Sequence, residues 1–314
     1  MSIIKYMAYL KTVETGSITR AAAQLGYTQS AISRMIADLE SEWNMKLLTR
    51  NRTGIEISSE GITLLPAIQS ICKEYEDLEF AVSEIHGLNS GTLRLGAFTS
   101  MATGWLPLML LDFHQEHPHI NFQVVNGEYN QIATWLRRGA IDCGFLALPT
   151  TNGLRAEFLL RDPLVVVLPT DHPLADAPCF PIAQLSQEEN FIDLKEEQDY
   201  EISRFLDHLK QKPRIKYEVS NDFVILAMVE CGLGISVVHE LILHPNRYGI
   251  VKKPFDTPQY RDIGIAVNRD SPPSSITQIF VDHAVRWARD LSAAMELNTS
   301  VPQQRPDLPP APSL

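Results

Sequence analysis

The chain has 314 residues, 45% hydrophobic and 21% charged, with 27 Lys and Arg against 38 Asp and Glu for a formal net charge of −11. That length suits about two domains, and the composition excludes a disordered or fibrous chain. No apolar run approaches about 18 residues, so no membrane span is predicted.

The start, Met1-Ser-Ile-Ile-Lys-Tyr6, has no basic-then-apolar leader pattern. Cys72, Cys143, Cys179 and Cys231 lie far apart with no CxxC pair, which predicts no disulfide framework and no zinc cluster and places the chain in a reducing cytoplasm. The acidity argues against a nucleic-acid partner only while it is averaged over the chain. Residues 1–61 hold seven basic and six acidic side chains, a net of +1; the remainder holds 20 against 32, a net of −12. Such asymmetry predicts two modules with different partners.

In the first module Ile3, Met7, Leu10 and Val13 recur at helical spacing up to Gly16. A short helix from Thr19 to Leu25 stops at Gly26. Thr28 is placed to cap a third helix, Gln29–Trp43, whose Ile32, Ile36, Leu39 and Trp43 form one apolar stripe. Gln29, Ser30, Ser33 and Arg34 fall largely off that stripe at the leading end. Helix, tight turn and helix with a polar leading end is the arrangement that reads the major groove. Gln suits adenine, Arg suits guanine, and Ser adapts to base or phosphate. Residues 46–58 read as a β-hairpin with Arg50, Arg52 and Gly54 at its turn, a basic wing for the DNA backbone. On spacing alone, a small three-helix module with exposed Arg and Gln is an equal reading.

Val13-Glu-Thr-Gly-Ser17, Ala21-Ala22, Leu25, Gln29-Ser-Ala-Ile-Ser-Arg34, Ile36, Leu39-Glu40, Leu47-Leu48, Arg50, Arg52 and Gly61 together resemble the signature of the LysR-type transcriptional regulators, in order across residues 3–65. Three places depart from it. Trp43-Asn44 stands for Leu-Gly, Leu48 for Phe, and Ile57-Ser58 for Leu-Thr; the first is expected to alter the turn into the wing. The resemblance implies a winged helix-turn-helix domain over 1–58 that binds double-stranded promoter DNA through Thr28, Gln29, Ser30, Ser33 and Arg34, with Arg50 and Arg52 on the wing.

Beyond Glu60, Ile68, Ile71, Tyr75, Leu78, Val82 and Ile85 alternate spacings of three and four. This is an a/d seam over about two and a half heptads. A helix packed on its own domain is the rival reading; the resemblance implies a linker helix over 59–88 that pairs chains into a homodimer, with a homotetramer beyond it. Paired recognition helices then read a two-fold symmetric site. Pro66 is expected to bend the helix, and Gly87-Leu-Asn-Ser-Gly91 reads as a hinge.

From Thr92 strands and helices alternate, so a parallel α/β sheet is expected. Strands are predicted at 92–98, 120–125, 142–148, 164–168, 190–192, 215–219, 235–238 and 263–267, and helices near 131–138, 202–210 and 223–230. With Gly91-Thr-Leu-Arg-Leu-Gly96, Leu106-Pro107, His117-Pro118, His172-Pro-Leu-Ala175 and Gly232-Leu-Gly-Ile235, this order resembles the LysR effector domain, itself similar to periplasmic solute-binding proteins. The resemblance implies an effector-binding domain over 92–296. Its first subdomain covers 92–161 plus the return 267–296, its second covers 162–266, and a small-molecule effector sits in the cleft between them. The cleft residues expected from position are Thr99, Ser100, Met101, Glu128, Tyr129, Phe145, Leu146, Phe191, Ile192 and Asn221. Few of them are basic, and Glu128 suits a ligand amine.

Other motifs are set aside. Gly232-Leu-Gly234 follows a helix, the reverse of a dinucleotide fingerprint. His117-Pro-His119 has no second ligand pair, so neither metal nor cofactor is expected. No catalytic set appears, so the chain is not read as an enzyme. Cys143 and Cys231 are expected to be buried and inert, and Cys179 to be the candidate for exposure. Residues 297–314, with Pro302, Pro306, Pro309, Pro310 and Pro312, read as a disordered tail. The expected function is DNA-binding transcription regulation in the cytoplasm, with effector binding in the cleft biasing dimer geometry, DNA bending and polymerase recruitment. The alternatives are a small-molecule-binding module without DNA function and a thiol-redox-sensing regulator.

Overall fold

A computed structural model describes residues 2–51, 54–85, 90–150, 153–187, 190–195, 201–244 and 247–298. The head is built from α1 (Ile3–Thr15), α2 (Ile18–Leu25), α3 (Gln29–Trp43) and a hairpin of β1 (Leu48–Asn51) and β2 (Gly54–Ile57). Its boundaries follow from local chemistry. Gly16 and Gly26 end α1 and α2 at φ 62° and 72°, where a side chain would be strained. The Ser17 hydroxyl accepts the Arg20 amide and the Thr28 hydroxyl accepts the Ala31 amide. Asn44 takes φ 50° at the end of α3. The unusual Trp43-Asn44 therefore leaves the turn into the wing intact, because Asn is the non-glycine residue best suited to that region.

Glu40 fastens α3 to the wing. One carboxylate oxygen accepts the amides of Leu47 (2.8 Å) and Leu48 (3.2 Å), and the other accepts Lys46 Nζ at 2.7 Å. Burial pushes this carboxyl up, but the three donors outweigh it and hold it below the ordinary value of 4.5. Glu40→Ala is expected to cost the head about 2–3 kcal/mol at neutral pH. The contribution is complete above the unfolded-state pKa and disappears as pH falls through the lowered folded-state pKa, so wild type and variant should converge in thermal melts taken in acid.

A single helix, α4 (Ser59–Ile85), runs on from the wing with Pro66 inside it. Its first half packs into the head: Ile68 and Cys72 are buried with Tyr6, Tyr9, Leu39 and Leu47. Gly61 is required there, since a Cβ would lie 2.4 Å from the Leu47 carbonyl oxygen and 2.8 Å from the Tyr9 hydroxyl. Its second half packs on the body. Phe80 is buried in the body's first core, and Asp77 accepts the Ser275 amide at 2.7 Å. Residues 87–89 of the expected hinge lie outside the described residues, and Gly91 already belongs to the next strand.

The body continues with β3 (Gly91–Ala97), α5 (Thr99–Thr103), α6 (Leu106–Glu116), β4 (Ile120–Asn126), α7 (Tyr129–Arg137), β5 (Cys143–Leu148), β6 (Leu154–Pro169), β7 (Phe191–Leu194), α8 (Glu201–Asp207), β8 (Ile215–Val219), α9 (Asp222–Glu230), β9 (Ser236–His239), β10 (Ile250–Pro254), β11 (Tyr260–Asn268) and α10 (Ser275–Asn298). The last helix includes residues 297 and 298 of the expected tail; the rest of that tail lies outside the described residues.

The expected all-parallel sheet is corrected to a mixed one. Strands β3–β4, β3–β5 and β7–β8 pair in parallel, whereas β11 runs antiparallel to both β5 and β6, and β9 and β10 run antiparallel to β6. The reason is the 16-residue β6, whose first half carried no strand signal in sequence. It crosses from one lobe to the other, and β11 returns beside it from Tyr260↔Pro163 to Asn268↔Leu154. One core gathers Leu93, Leu95, Phe113, Phe145, Ile263 and Phe280. Along β6, Leu164, Val166 and Leu168 enter a second core, and Val165 and Val167 enter a third on the opposite face. Burial on both faces explains the unbroken run Leu164-Val-Val-Val-Leu168.

Candidate functional site

On the head, the leading half of α3 faces solvent. Gln29, Ser30 and Arg34 are exposed and Ser33 is half-buried, while Ile32, Ile36 and Leu39 on the other face are buried against α1, α2 and α4. Thr28 is exposed, and its hydroxyl shares a hydrogen bond with that of Ser30 at 3.0 Å. Arg52 and the side chain of Arg50 lie outside the described residues.

In the body, β3 and β4 each lead into a helix, α5 and α7, whose N-terminal residues Ser100 and Tyr129 meet at one guanidinium. Arg261, on β11, is only 6% exposed. Its Nε and Nη2 donate to Asp162 Oδ2 at 2.9 and 2.6 Å, Nη2 donates to Ser100 Oγ at 2.6 Å, and Nη1 donates to the Tyr129 hydroxyl at 2.7 Å. The Phe98 ring covers its face at 4.7 Å. Asp162, 2% exposed, also accepts the Leu241 amide at 2.9 Å. Burial pushes the Asp162 carboxyl up against the opposing pull of the guanidinium. Arg261 thus ties Ser100 and Tyr129 of the first lobe to Asp162 at the crossing into the second.

Behind this knot, His239 Nε2 stands 3.9 Å from Glu201 Oε2, too far for a hydrogen bond. Glu201 Oε2 and His239 Nδ1 are buried and find no hydrogen-bond partner among the described residues. Burial, and after it the Arg261 charge, holds His239 well below the ordinary value of 6.5. As pH drops below that value the unfolded chain takes up a proton that the folded chain refuses. Stability is therefore full above about pH 6.5 and declines below it by up to about 1.4 kcal/mol per pH unit. In urea unfolding, His239→Gln is expected to flatten that decline; a variant as acid-sensitive as wild type would assign the decline to other groups. His244 and His283 are lowered in the same direction.

A cavity of about 630 Å³ adjoins Arg261 and Glu201, walled by Leu148, Pro149, Arg204 and Phe205 among others. None of the ten residues expected to hold the effector lines it. Of those ten, Ser100 and Tyr129 meet at Arg261, and Thr99 flanks them. Glu128 caps α7 through a reciprocal pair with Gln131, and Asn221 caps α9 by accepting the Phe223 amide at 2.9 Å. Met101, Phe145, Leu146, Phe191 and Ile192 lie in the hydrophobic cores, each 3% exposed or less.

Arg261 is the residue of this knot that the expected cleft set lacked. The sequence did carry a signal for it: Arg261 shares the buried face of β11 with Ile263 and is charged where that alternation calls for an apolar residue. Among the cysteines, Cys231 is exposed rather than buried, Cys179 is half-buried, and burial pushes the Cys72 thiol up to about 12. No group of three or more metal-ligating side chains occurs among the described residues.

Residues 5–62 match the family described as bacterial regulatory helix-turn-helix protein, lysR family, and residues 86–289 match the LysR substrate binding domain. An uncharacterized HTH-type transcriptional regulator, YvbU of Bacillus subtilis, is 29% identical over 290 residues, 90% of this chain and 98% of the relative. The probable HTH-type transcriptional regulator LrrA of Synechococcus elongatus is 32% identical over 268 residues, 85% of this chain and 90% of the relative. Among solved structures, full-length OxyR from Pseudomonas aeruginosa aligns with a TM-score of 0.74 at 19% identity, covering 90% of this chain and 94% of that one. Full-length CbnR complexed with its target DNA aligns with a TM-score of 0.56 at 21% identity, covering 92% and 99%.

Proposed function

The chain belongs to the LysR family of DNA-binding transcriptional regulators, and from that premise we propose how its own residues read DNA, pair chains and receive an effector. The exposed leading half of α3 carries the reading of DNA. Gln29, Ser30, Ser33 and Arg34 enter the major groove, Thr28 fixes the start of the helix, and Arg50 and Arg52 hold the backbone from the wing. The +1 charge of residues 1–61 makes each head a weak binder, so affinity comes from two heads on a two-half-site target.

Pairing runs along α4, where Ile71, Leu78 and Val82 form one exposed apolar stripe; a dimer of dimers is the further assembly. The effector occupies the interlobe cleft near Thr99, Ser100, Glu128, Tyr129 and Asn221. With the second half of α4 packed on the first lobe, a rearrangement of the second lobe against the first changes the angle at which the dimer presents its heads. No helix among the described residues is long and apolar enough to cross a membrane, which supports a cytoplasmic regulator. The family is one of regulators rather than enzymes, and no turnover is expected.

The test is a gel-shift titration with promoter DNA. Arg34→Ala, with folding intact, is expected to weaken binding by about 1–3 kcal/mol, a factor of roughly 5 to 150. Wild-type binding should weaken steeply with salt in proportion to the phosphates neutralised. Unchanged affinity in the variant would remove Arg34 from the interface, and salt-insensitive binding would leave the head without a DNA role.

A further inference from the structure

We infer that Arg20, on the outer face of α2, anchors the head to a DNA phosphate, and that the head's three lysines do not. The inference rests on the head reading DNA and goes on to divide its cations between partners.

The described basic side chains of the head, Lys5, Lys11, Arg20, Arg34 and Lys46, fall into two sets. Lys5 Nζ donates to Glu42 Oε1 at 2.6 Å and stands 4.0 Å from Asp38. Lys11 Nζ donates to Glu14 Oε2 at 2.6 Å, and Lys46 Nζ donates to Glu40 Oε2 at 2.7 Å. Each lysine brings a carboxylate with it, so a phosphate approaching it meets a pair whose charges cancel. Arg20 and Arg34 are exposed and find no acidic partner among the described residues. This is how a head of net +1 keeps a directed positive surface. Glu14, Asp38, Glu40 and Glu42 stand beside lysines, and these two guanidiniums stay bare. Arg34 lies on the reading helix; Arg20 is the cation left over.

Its place follows from α2. Ile18, Ala21 and Ala22 are buried and Leu25 packs on the same core, which faces Ile32 and Ile36 of α3. Arg20 stands two residues from Ile18, about 200° around the helix, and points away from that core. The leading end of α2 is tied to the wing. The Ile55 amide donates to the Gly16 carbonyl at 3.4 Å, and Ser17, next in the chain, accepts the Arg20 amide at 3.4 Å. The other end of α2 passes through Gly26 and Tyr27 straight into Thr28 and α3. Arg20 therefore lies between the wing and the reading end of α3, on the helix that crosses the backbone when α3 occupies the major groove. A guanidinium there meets phosphate oxygens rather than base edges, and its fork suits two of them.

The test is the salt dependence of DNA binding by the full-length protein, read by fluorescence anisotropy from about 50 to 250 mM KCl. Two duplexes serve as probes, one of random sequence and one selected from a random pool by the wild-type protein. Arg20→Gln is expected to flatten the slope of log K against log [KCl] by about 0.9 per head, or about 1.8 for a dimer. It should weaken both duplexes by about tenfold or more at about 100 mM KCl and keep their affinity ratio within about twofold. Arg20→Lys retains the point charge and should restore the slope to within about 0.5 of wild type. Lys5→Gln, Lys11→Gln and Lys46→Gln should each leave it within about 0.3.

An unchanged slope in Arg20→Gln beside a salt-sensitive wild type would overturn this inference alone, whereas a salt-insensitive wild type would remove DNA reading by the head. A loss confined to the selected duplex would make Arg20 a reader of bases and overturn the phosphate assignment. A slope that Arg20→Lys fails to restore, or that falls as far in any lysine variant, would overturn it too.

Discussion

Arg261→Met is expected to destabilise the effector domain by about 3–5 kcal/mol, the range for removing one partner of a buried ion pair. The magnitude comes from what is left behind. Asp162, 2% exposed, would keep its charge with only the Leu241 amide to satisfy it, and Ser100 Oγ and the Tyr129 hydroxyl would each lose a charged donor. Chemical denaturation reads the loss directly. The double variant Arg261→Met with Asp162→Asn should cost less than the sum of the single variants, because the second change neutralises the abandoned charge. A loss under about 1 kcal/mol for Arg261→Met would mean that water reaches the knot and screens it.

Leu78→Asp is expected to convert the protein from dimer to monomer. Leu78 is 60% exposed on α4, and Ile71 and Val82, seven and four residues away on the same face, are also exposed among the described residues. Losing one buried leucine from each of two facing helices costs about 3–6 kcal/mol, which weakens association by roughly 10² to 10⁴-fold. Sedimentation at micromolar protein should show the change, and promoter affinity should fall with it, since two heads no longer act together. Ile62→Asp is the control. It changes a residue of similar exposure nine positions from Ile71, half a turn around the helix, and should leave the dimer intact. A monomeric wild type would overturn pairing through α4, and a Leu78→Asp variant that stays dimeric would place the pairing surface elsewhere.

Much of the head was legible in sequence because its determinants are local. Gly16, Gly26 and Thr28 mark helix ends through their own backbone and side-chain chemistry. The stripe Ile32, Ile36 and Leu39 is set by helical spacing, and the polar leading end of α3 follows once that stripe is buried. The body's strands and helices were legible for the same reason, as was the charge asymmetry that turns −11 into a near-neutral head and an acidic body.

What the tertiary structure alone decided depends on residues far apart in the chain. Strand direction is one case: 154–160 has no strand signal, yet β6 extends through it because β11 returns alongside from a hundred residues later. Burial is another. Phe145, Leu146, Phe191 and Ile192 follow strand positions that point to a cleft, but the layers on both faces of their strands enclose them. The Arg261 knot is the third. Its bonds span 99 residues to Asp162, 132 to Tyr129 and 161 to Ser100. No local pattern encodes such a meeting; it exists because two strands cross between the lobes at one point and leave a charged pair where water is excluded.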